Sequence, residues 1–286
     1  MIRVVHLTCV HPAFDTRIFY RECRGLLDAG YDVHLIAPGS RSEVREGIKI
    51  HALQGGGGRV ARMTWRAWWL FCKALRLRGD IYHFHDPELL PVGYVLDRLG
   101  KRVVFDVHEL VCAQILNKDW IPYPRLASKI YGWLEPLLVR QTMSVVLAEK
   151  SYYNYYRKMN GECAIIQNFP RVPADSLISR AKENAIVYVG AVVRIRGLDQ
   201  TLEALSILRR RGVKPLFHCV GPFSSAEYEN EALDRVNELG MADQVLFHGW
   251  QNNPKALEIT RKCKIGLSIL HPIPNYLESY STKILE

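Results

Sequence analysis

Short runs rich in β-branched and aromatic residues alternate with longer stretches of helical periodicity along the whole chain, and this alternation restricts the fold more than any other feature. The first series reads IRVVHLT, a helix in TRIFYRECRGLLDAG, YDVHLIAP, a weaker strand at IKIHAL, a helix from about Met63 to Leu77, and DIYHFH. It continues with a helix over ELLPVGYVLDRLG, RVVFDVHE, a helix over YPRLASKIYGWLEPLLVRQTM, SVVLAE, a Tyr-rich helix and CAIIQN. A second series runs AIVYVG, a helix at about 198–211, KPLFHCVG, a helix at 225–239, QVLFHGW, a helix near 254–262, KIGLSIL, and a helix starting at STKILE. Parallel strands need long crossovers, so strand–helix alternation implies a parallel sheet covered by helices on both faces. The stretch FPRVPADSLISRAKEN carries two prolines and no strand pattern. The expectation is an α/β chain of two tandem doubly wound, Rossmann-like domains, residues 1–168 and 185–286, joined by a linker at 169–184.

Size agrees with two domains, since 286 residues with 48% apolar content can fill two ordinary cores. Seven cysteines at 9, 23, 72, 112, 163, 219 and 263 are odd in number and form no CxxC pair, which reads as a reduced chain without structural zinc. The opening MIRVVHLTCVHP breaks at His6, His11 and Pro12 and lacks the order of a signal peptide. No apolar run approaches the roughly 20 residues of a membrane span. The expectation is a cytoplasmic protein, at most peripheral to the inner face of the cell membrane. A formal charge of +9 favours anionic partners. With no zinc-finger spacing, RNA-binding aromatic motif or dense basic tail, nucleic acid is set aside as a partner.

Ligands of open α/β sheets sit outside the carboxyl ends of the strands, which singles out a few turns. In YVGAVVRIRGLDQTLEAL a strand ends at Gly190, a loop holds Arg194 and Arg196, and Gly197 opens a helix. Helix amides beside two guanidinium groups suit a diphosphate, although both arginines also fit as solvated loop charges. Asp106, His108 and Glu109 follow a strand in FDVHEL, where the histidine is either structural or free to reach a ligand hydroxyl. In YHFHDPELLP, Asp86 reads as an N-cap with Pro87 at the first helical position and Glu88 in the first turn. In HPAFDTRIFYRE, Asp15 is a second N-cap candidate, and Arg17 and Arg21 lie on one side of the helix it opens. The final ESYSTKILE holds Glu278 and Glu286, and a carboxylate accepting two hydroxyl protons makes a diol clamp.

Taken together and in this order, HPAFDTRIFYRE, YHFHDPELLP, DVHE, YVG followed by RG, and ESYSTKILE resemble the family 4 glycosyltransferases, especially their bacterial surface-polysaccharide branch. The resemblance spans essentially the whole chain. It implies the GT-B fold, two Rossmann-like domains facing across a cleft, the second incomplete because the family continues beyond the E-x7-E helix. It implies retaining transfer of a sugar from a nucleotide-diphosphate sugar, held by the second domain, to a glycan or lipid-linked acceptor held by the first. On that basis His108 and Glu278 are catalytic; Arg194, Arg196, Gly197 and Glu286 bind the donor; and Asp15, Arg17 and Glu109 lie on the acceptor side. The resemblance calls for no metal and no cofactor beyond the donor substrate. The chain departs from it at Ala191, where many members have Arg, and at HPAFD, where they have a Gly-Gly turn. The alternative is a non-catalytic remnant or scaffold that binds a nucleotide or a partner.

The segment RVARMTWRAWWLFCKALRLRG groups Arg59, Arg62, Arg66, Lys73 and Arg76 on one side and Met63, Ala67, Leu70, Phe71 and Ala74 on another. Residues 59–78 therefore read either as a peripheral membrane contact, with Trp65, Trp68 and Trp69 at the interface, or as a domain helix whose basic face is solvated.

Overall fold

The computed structural model describes residues 1–54, 58, 62–116, 121–139, 143–161, 163–169, 182–272 and 284. They fall into two compact units, Met1–Asn168 and Phe169–Glu286. Among the described residues no helix is long and apolar enough to cross a membrane.

The first unit is built on β1 (Arg3–Leu7), β2 (Asp32–Pro38), β3 (Glu43–Arg45), β4 (Ile48–Leu53), β5 (Ile81–Phe84), β6 (Arg102–Val107), β7 (Ser144–Leu147) and β8 (Cys163–Ile165). They form one sheet in the order β3-β4-β2-β1-β5-β6-β7-β8. All pairings are parallel except β3 with β4. The near-continuous apolar strands follow from burial on both faces. One face gathers Val5, Leu7, Tyr82, Phe84, Phe105 and Leu147. The other packs Val33, Leu35 and Ile48 against Ile18, Phe19 and Cys23. Each such side chain contributes on the order of 1.5–3 kcal/mol.

The helices of this unit are α1 (Arg24–Asp28), α2 (Ala67–Leu77), α3 (Leu90–Arg98), α4 (Val111–Leu116), α5 (Pro124–Val139) and α6 (Tyr153–Met159). A π-helical turn, Ile18–Cys23, leads into α1, with the Glu22 amide donating to Arg17 O at 3.0 Å. Helix α2 buries Ala67, Leu70 and Ala74, while Trp65, Trp68 and Trp69 stay exposed. Helix α5 buries Glu135, whose carboxyl accepts hydrogen bonds from Tyr131 (3.0 Å), Tyr155 (2.9 Å) and Tyr156 (2.6 Å). That knot is the reason for the Tyr-rich helix. Two elements are additions to the sequence reading. One is α4. The other is β3, joined to β4 by Glu46 and Gly47, both at positive φ (51° and 86°), as a two-residue type I′ hairpin requires.

The second unit holds β9 (Glu183–Val189), α7 (Leu198–Arg210), β10 (Leu216–Val220), α8 (Ala226–Glu238), β11 (Val245–Phe247), α9 (Asn253–Lys262) and β12 (Cys263–Leu267). Its four parallel strands are ordered β11-β10-β9-β12. Tyr188, Leu202, Leu205, Phe217, Tyr228 and Val236 fill one face of the sheet. Ala185, Val187, Val220, Ala256 and Ile259 fill the other. Ser225 Oγ accepts from the Tyr228 amide and Asn252 Oδ1 from the Lys255 amide, so side-chain caps start α8 and α9. The helix expected at STKILE lies outside the described residues, apart from Ile284.

Candidate active site

At the carboxyl ends of β1, β5 and β6 the first unit buries a network of charged and titratable groups. Strand alternation puts His83 and His85 on one side of β5, and β1 places His6 opposite His83. Arg17 reaches the same place from the loop after β1. Its Nη2 and Nε donate to Asp106 Oδ1 and Oδ2 at 2.7 and 2.9 Å, and its Nη1 donates to Ile166 O at 3.1 Å. Asp106, wholly buried on β6, also accepts from His108 Nε2 at 2.7 Å and His85 Nδ1 at 3.1 Å. Burial pushes the Asp106 pKa up, but its electrostatic and hydrogen-bond interaction with His108 and the hydrogen bonds of His85 and Arg17 hold it well below the usual carboxylate range. Glu22 moves the other way. Burial, and then the Asp106 charge, push its carboxyl well up, although Arg17 Nε lies 2.8 Å away.

The histidines are held neutral. Burial lowers His6, with His83 and His85 adding to the effect. Burial and then His85 bring His83 down to about 3, and burial lowers His85. The hydrogen bonds then fix the tautomers. His85 donates from Nδ1 to Asp106, so its Nε2 accepts from His6 Nδ1 at 2.9 Å, which leaves His6 Nε2 as a buried acceptor without a partner. The core of the network is thus one ion pair, Arg17 with Asp106, framed by neutral groups. Glu22, His83, His85 and Asp106 also place four ligand atoms within 4.8 Å of one another, a nitrogen and oxygen set that divalent metals accept. The guanidinium of Arg17 touches both carboxylates, so the chain itself already supplies the balancing cation there.

Above this network, His108 is partly exposed, with its ring 5.4 Å from that of His11. His11 lies 3.5 Å from both Asp15 Oδ2 and Asp86 Oδ1. Burial opposes protonation of His11, but the Asp15 hydrogen bond and the Asp86 charge raise its pKa overall. Asp15 Oδ1 accepts from the Arg17 and Ile18 amides at 2.8 and 3.0 Å, as a cap should. Burial disfavours the Asp15 carboxylate, yet the His11 hydrogen bond and those amides lower its pKa to about 2. Asp86 corrects the expectation. Its backbone stands at the N-cap position before Pro87, but its side chain does not cap. Instead Oδ2 accepts from Thr8 Oγ1 (2.9 Å) and from the Cys9 (2.5 Å) and Val10 (3.2 Å) amides, stapling the loop after β1.

In the second unit, β9 ends at Gly190, a 3-10 turn spans Arg194–Arg196, and Gly197 is the N-cap of α7 with φ of 74°. A side chain at Gly197 would meet strain and space together, because an added Cβ would lie 2.4 Å from Ile269 Cγ2. Among the described residues no side chain caps α7, so its first-turn amides have no capping partner. Gly221, at the end of β10, approaches so closely that a Cβ there would lie 2.0 Å from Gly190 O. The two glycines therefore let the ends of β9 and β10 pack backbone to backbone. Arg194 stacks 4.4 Å over the Tyr228 ring and pairs with Glu231, and Arg196 Nη1 donates to Ala191 O at 3.3 Å.

A family model described as a glycosyl transferase 4-like domain matches residues 16–163, and one described as glycosyl transferases group 1 matches residues 174–286. The chain belongs to the glycosyltransferases. Solved structures show that the glycosyltransferase has the GT-B fold. Sucrose-phosphate synthase from Thermosynechococcus elongatus superposes with a TM-score of 0.69 at 15% identity, over 96% of this chain and 77% of that one. WaaG, a glycosyltransferase involved in lipopolysaccharide biosynthesis, gives 0.65 at 14% identity over 94% and 75%. Anabaena Alr3699/HepE in complex with UDP-glucose gives 0.61 at 11% identity over 94% and 74%. At such identities the likeness concerns the fold alone. No curated protein sequence matches the glycosyltransferase.

Of the residues singled out in the sequence, the structure brings Asp15, Arg17 and His108 into one cluster, with Glu109 exposed beside it. It brings Arg194, Arg196 and Gly197 into one turn. Glu278 and Glu286 lie outside the described residues. Arg17 is internal to the glycosyltransferase rather than a surface cation. The sequence reading missed Glu22, His6 and His83, whose signal was the paired strand pattern RVVHL against IYHFH.

Proposed function

We propose that this glycosyltransferase moves a sugar, with retention of anomeric configuration, from a nucleotide-diphosphate donor to a glycan or lipid-linked acceptor in surface polysaccharide biosynthesis. The observation that carries the reading is the turn before α7, where two guanidinium groups stand beside uncapped helix amides at the carboxyl end of β9. In the reaction the bond from the anomeric carbon to the diphosphate oxygen breaks, the acceptor oxygen bonds to that carbon, and the acceptor proton leaves with the diphosphate. Negative charge grows on the leaving group, and fixed donors aimed at it lower the barrier without reorganisation. Arg194, Arg196 and the α7 amides supply them, with no resident cofactor or metal in this reading.

On the first unit, His108 serves the transferred sugar, and Asp106 holds its Nε2–H, which leaves Nδ1 for the ligand. Asp15 and Glu109 serve the acceptor, and Arg17 serves it indirectly by fixing Asp106. Glu278 is assigned to the donor sugar and Glu286 to the ribose. The exposed Trp65, Trp68 and Trp69 fit a peripheral contact of residues 59–78 with the inner face of the cell membrane.

The test is calorimetric titration of the folded 286-residue chain with UDP, GDP, ADP and their sugar conjugates, at low salt and without divalent metal. Alr3699/HepE is named with UDP-glucose, so uridine donors come first. Saturable binding of one nucleotide, weakened in Arg196→Ala, supports the reading, and no binding by folded protein overturns it. The anomeric configuration of the product, read by NMR, decides retention.

A further inference from the structure

Helix α5 turns a polar side inward and an apolar side outward. The side of α5 that faces the protein carries Glu135 with its three tyrosine hydroxyls, and Ser128, whose hydroxyl donates to Cys112 O at 3.0 Å. The outward side carries Leu126, Ile130, Trp133, Leu134 and Leu137, all exposed, with Trp133 at 68%. At 3.6 residues per turn these five fall within roughly 100° of arc, the width of the stripe that normally faces a core. Here it faces out. A row of this kind covering about three turns marks a partner site rather than ordinary surface.

Its surroundings select the partner. Arg125 and Lys129 flank the stripe and are exposed, and the only acid of α5 is the buried Glu135. Helix α3 packs against both α5 and α2. Helix α2 contains no acid at all, exposes Arg76, and follows the exposed Trp65 while exposing Trp68 and Trp69 itself. Two helices of one layer thus combine outward tryptophans and aliphatic side chains with lysine or arginine, and present no carboxylate. Amphipathic helices that lie in the interface of an anionic bilayer have this composition, with indole rings at head-group level and cations on the lipid phosphates.

We infer that α5 is a docking surface for an anionic lipid bilayer, with Leu126, Ile130, Trp133, Leu134 and Leu137 immersed and Arg125 and Lys129 on the head groups. This contact is additional to residues 59–78, and it stands apart from the donor and acceptor assignments because its test reads binding rather than transfer.

The experiment is co-sedimentation of the full chain with vesicles of phosphatidylglycerol and phosphatidylethanolamine, and with vesicles of phosphatidylcholine alone. Expected is binding to the anionic vesicles at least tenfold stronger than to the neutral ones. The triple variant Ile130→Gln/Trp133→Gln/Leu137→Gln should lose at least tenfold of that binding with an unchanged melting curve, since all three side chains are exposed. Arg125→Gln/Lys129→Gln should lose the anionic preference and leave the residual binding insensitive to salt. Unchanged partitioning of the triple variant, or equal binding to both vesicle types, overturns the assignment. So does a dimer in solution that the triple variant dissolves, which would give the face to a second copy. If the triple variant melts early, single Trp133→Gln, expected to lose about threefold, decides in its place.

Discussion

The two strand edges that carry candidate site residues, one in each unit, solve opposite problems. In the first unit the charges are buried and matched to one another, with Arg17 against Asp106 and neutral histidines around them. In the second, Arg194 is exposed and pairs with the exposed Glu231, and the half-buried Arg196 donates from Nη1 to Ala191 O. A buried network fixes geometry before any ligand arrives, whereas a turn whose ion pairs lie in solvent exchanges them for an anion at little cost. The first edge should therefore report on stability and the second on affinity.

The largest expected effect is on acid stability. His6, His83 and His85 have folded pKa values below the unfolded value, so the unfolded chain binds more protons as pH falls. Their stabilisation is complete above about pH 6.5 and is lost below it, at up to about 1.4 kcal/mol per pH unit for each histidine that titrates. Denaturant melts between pH 7 and 4.5 should show unit 1 weakening first, and equal losses in both units would break the contrast. Next, Asp106→Asn strands the Arg17 guanidinium in the interior, with an expected cost of about 3–5 kcal/mol in chemical denaturation. A loss under about 1 kcal/mol would mean that the network is not the frame of the unit.

Arg196→Ala should weaken nucleotide binding by about 1.5–3 kcal/mol through a lost charge-assisted contact, with the melting temperature unchanged. A shift in melting temperature without a change in affinity would reverse the comparison. The smallest effect is expected at Gly197→Ala, where positive φ and the Ile269 contact together cost about 1–3 kcal/mol of unit 2 stability. Differential scanning calorimetry should read it as a lowered unit 2 transition, since the added carbon would meet both Cγ2 and Cβ of Ile269.

Legibility in the sequence followed distance along the chain. The strands and main helices were readable because periodicity is local, and so was the place of His108 just past the end of β6. The β3–β4 hairpin was not, since its turn is Glu-Gly rather than the usual Asn-Gly. Arg17 looked like a surface cation because its partner Asp106 lies 89 residues away. Asp86 looked like a cap for its own helix because the Cys9 amide that claims it is 77 residues away. A local rule assigns a polar side chain to its nearest backbone, and tertiary burial overrides it where a distant donor is left unsatisfied.

The tyrosine knot around Glu135 also gives this molecule a built-in optical reporter. Burial, and then the neighbouring Glu135 charge, hold the Tyr131, Tyr155 and Tyr156 phenols far above the ordinary tyrosine range. In an alkaline titration followed by ultraviolet absorbance, these three rings should stay silent while surface tyrosines form phenolate. They should then ionise together in a single step when the helices around them come apart.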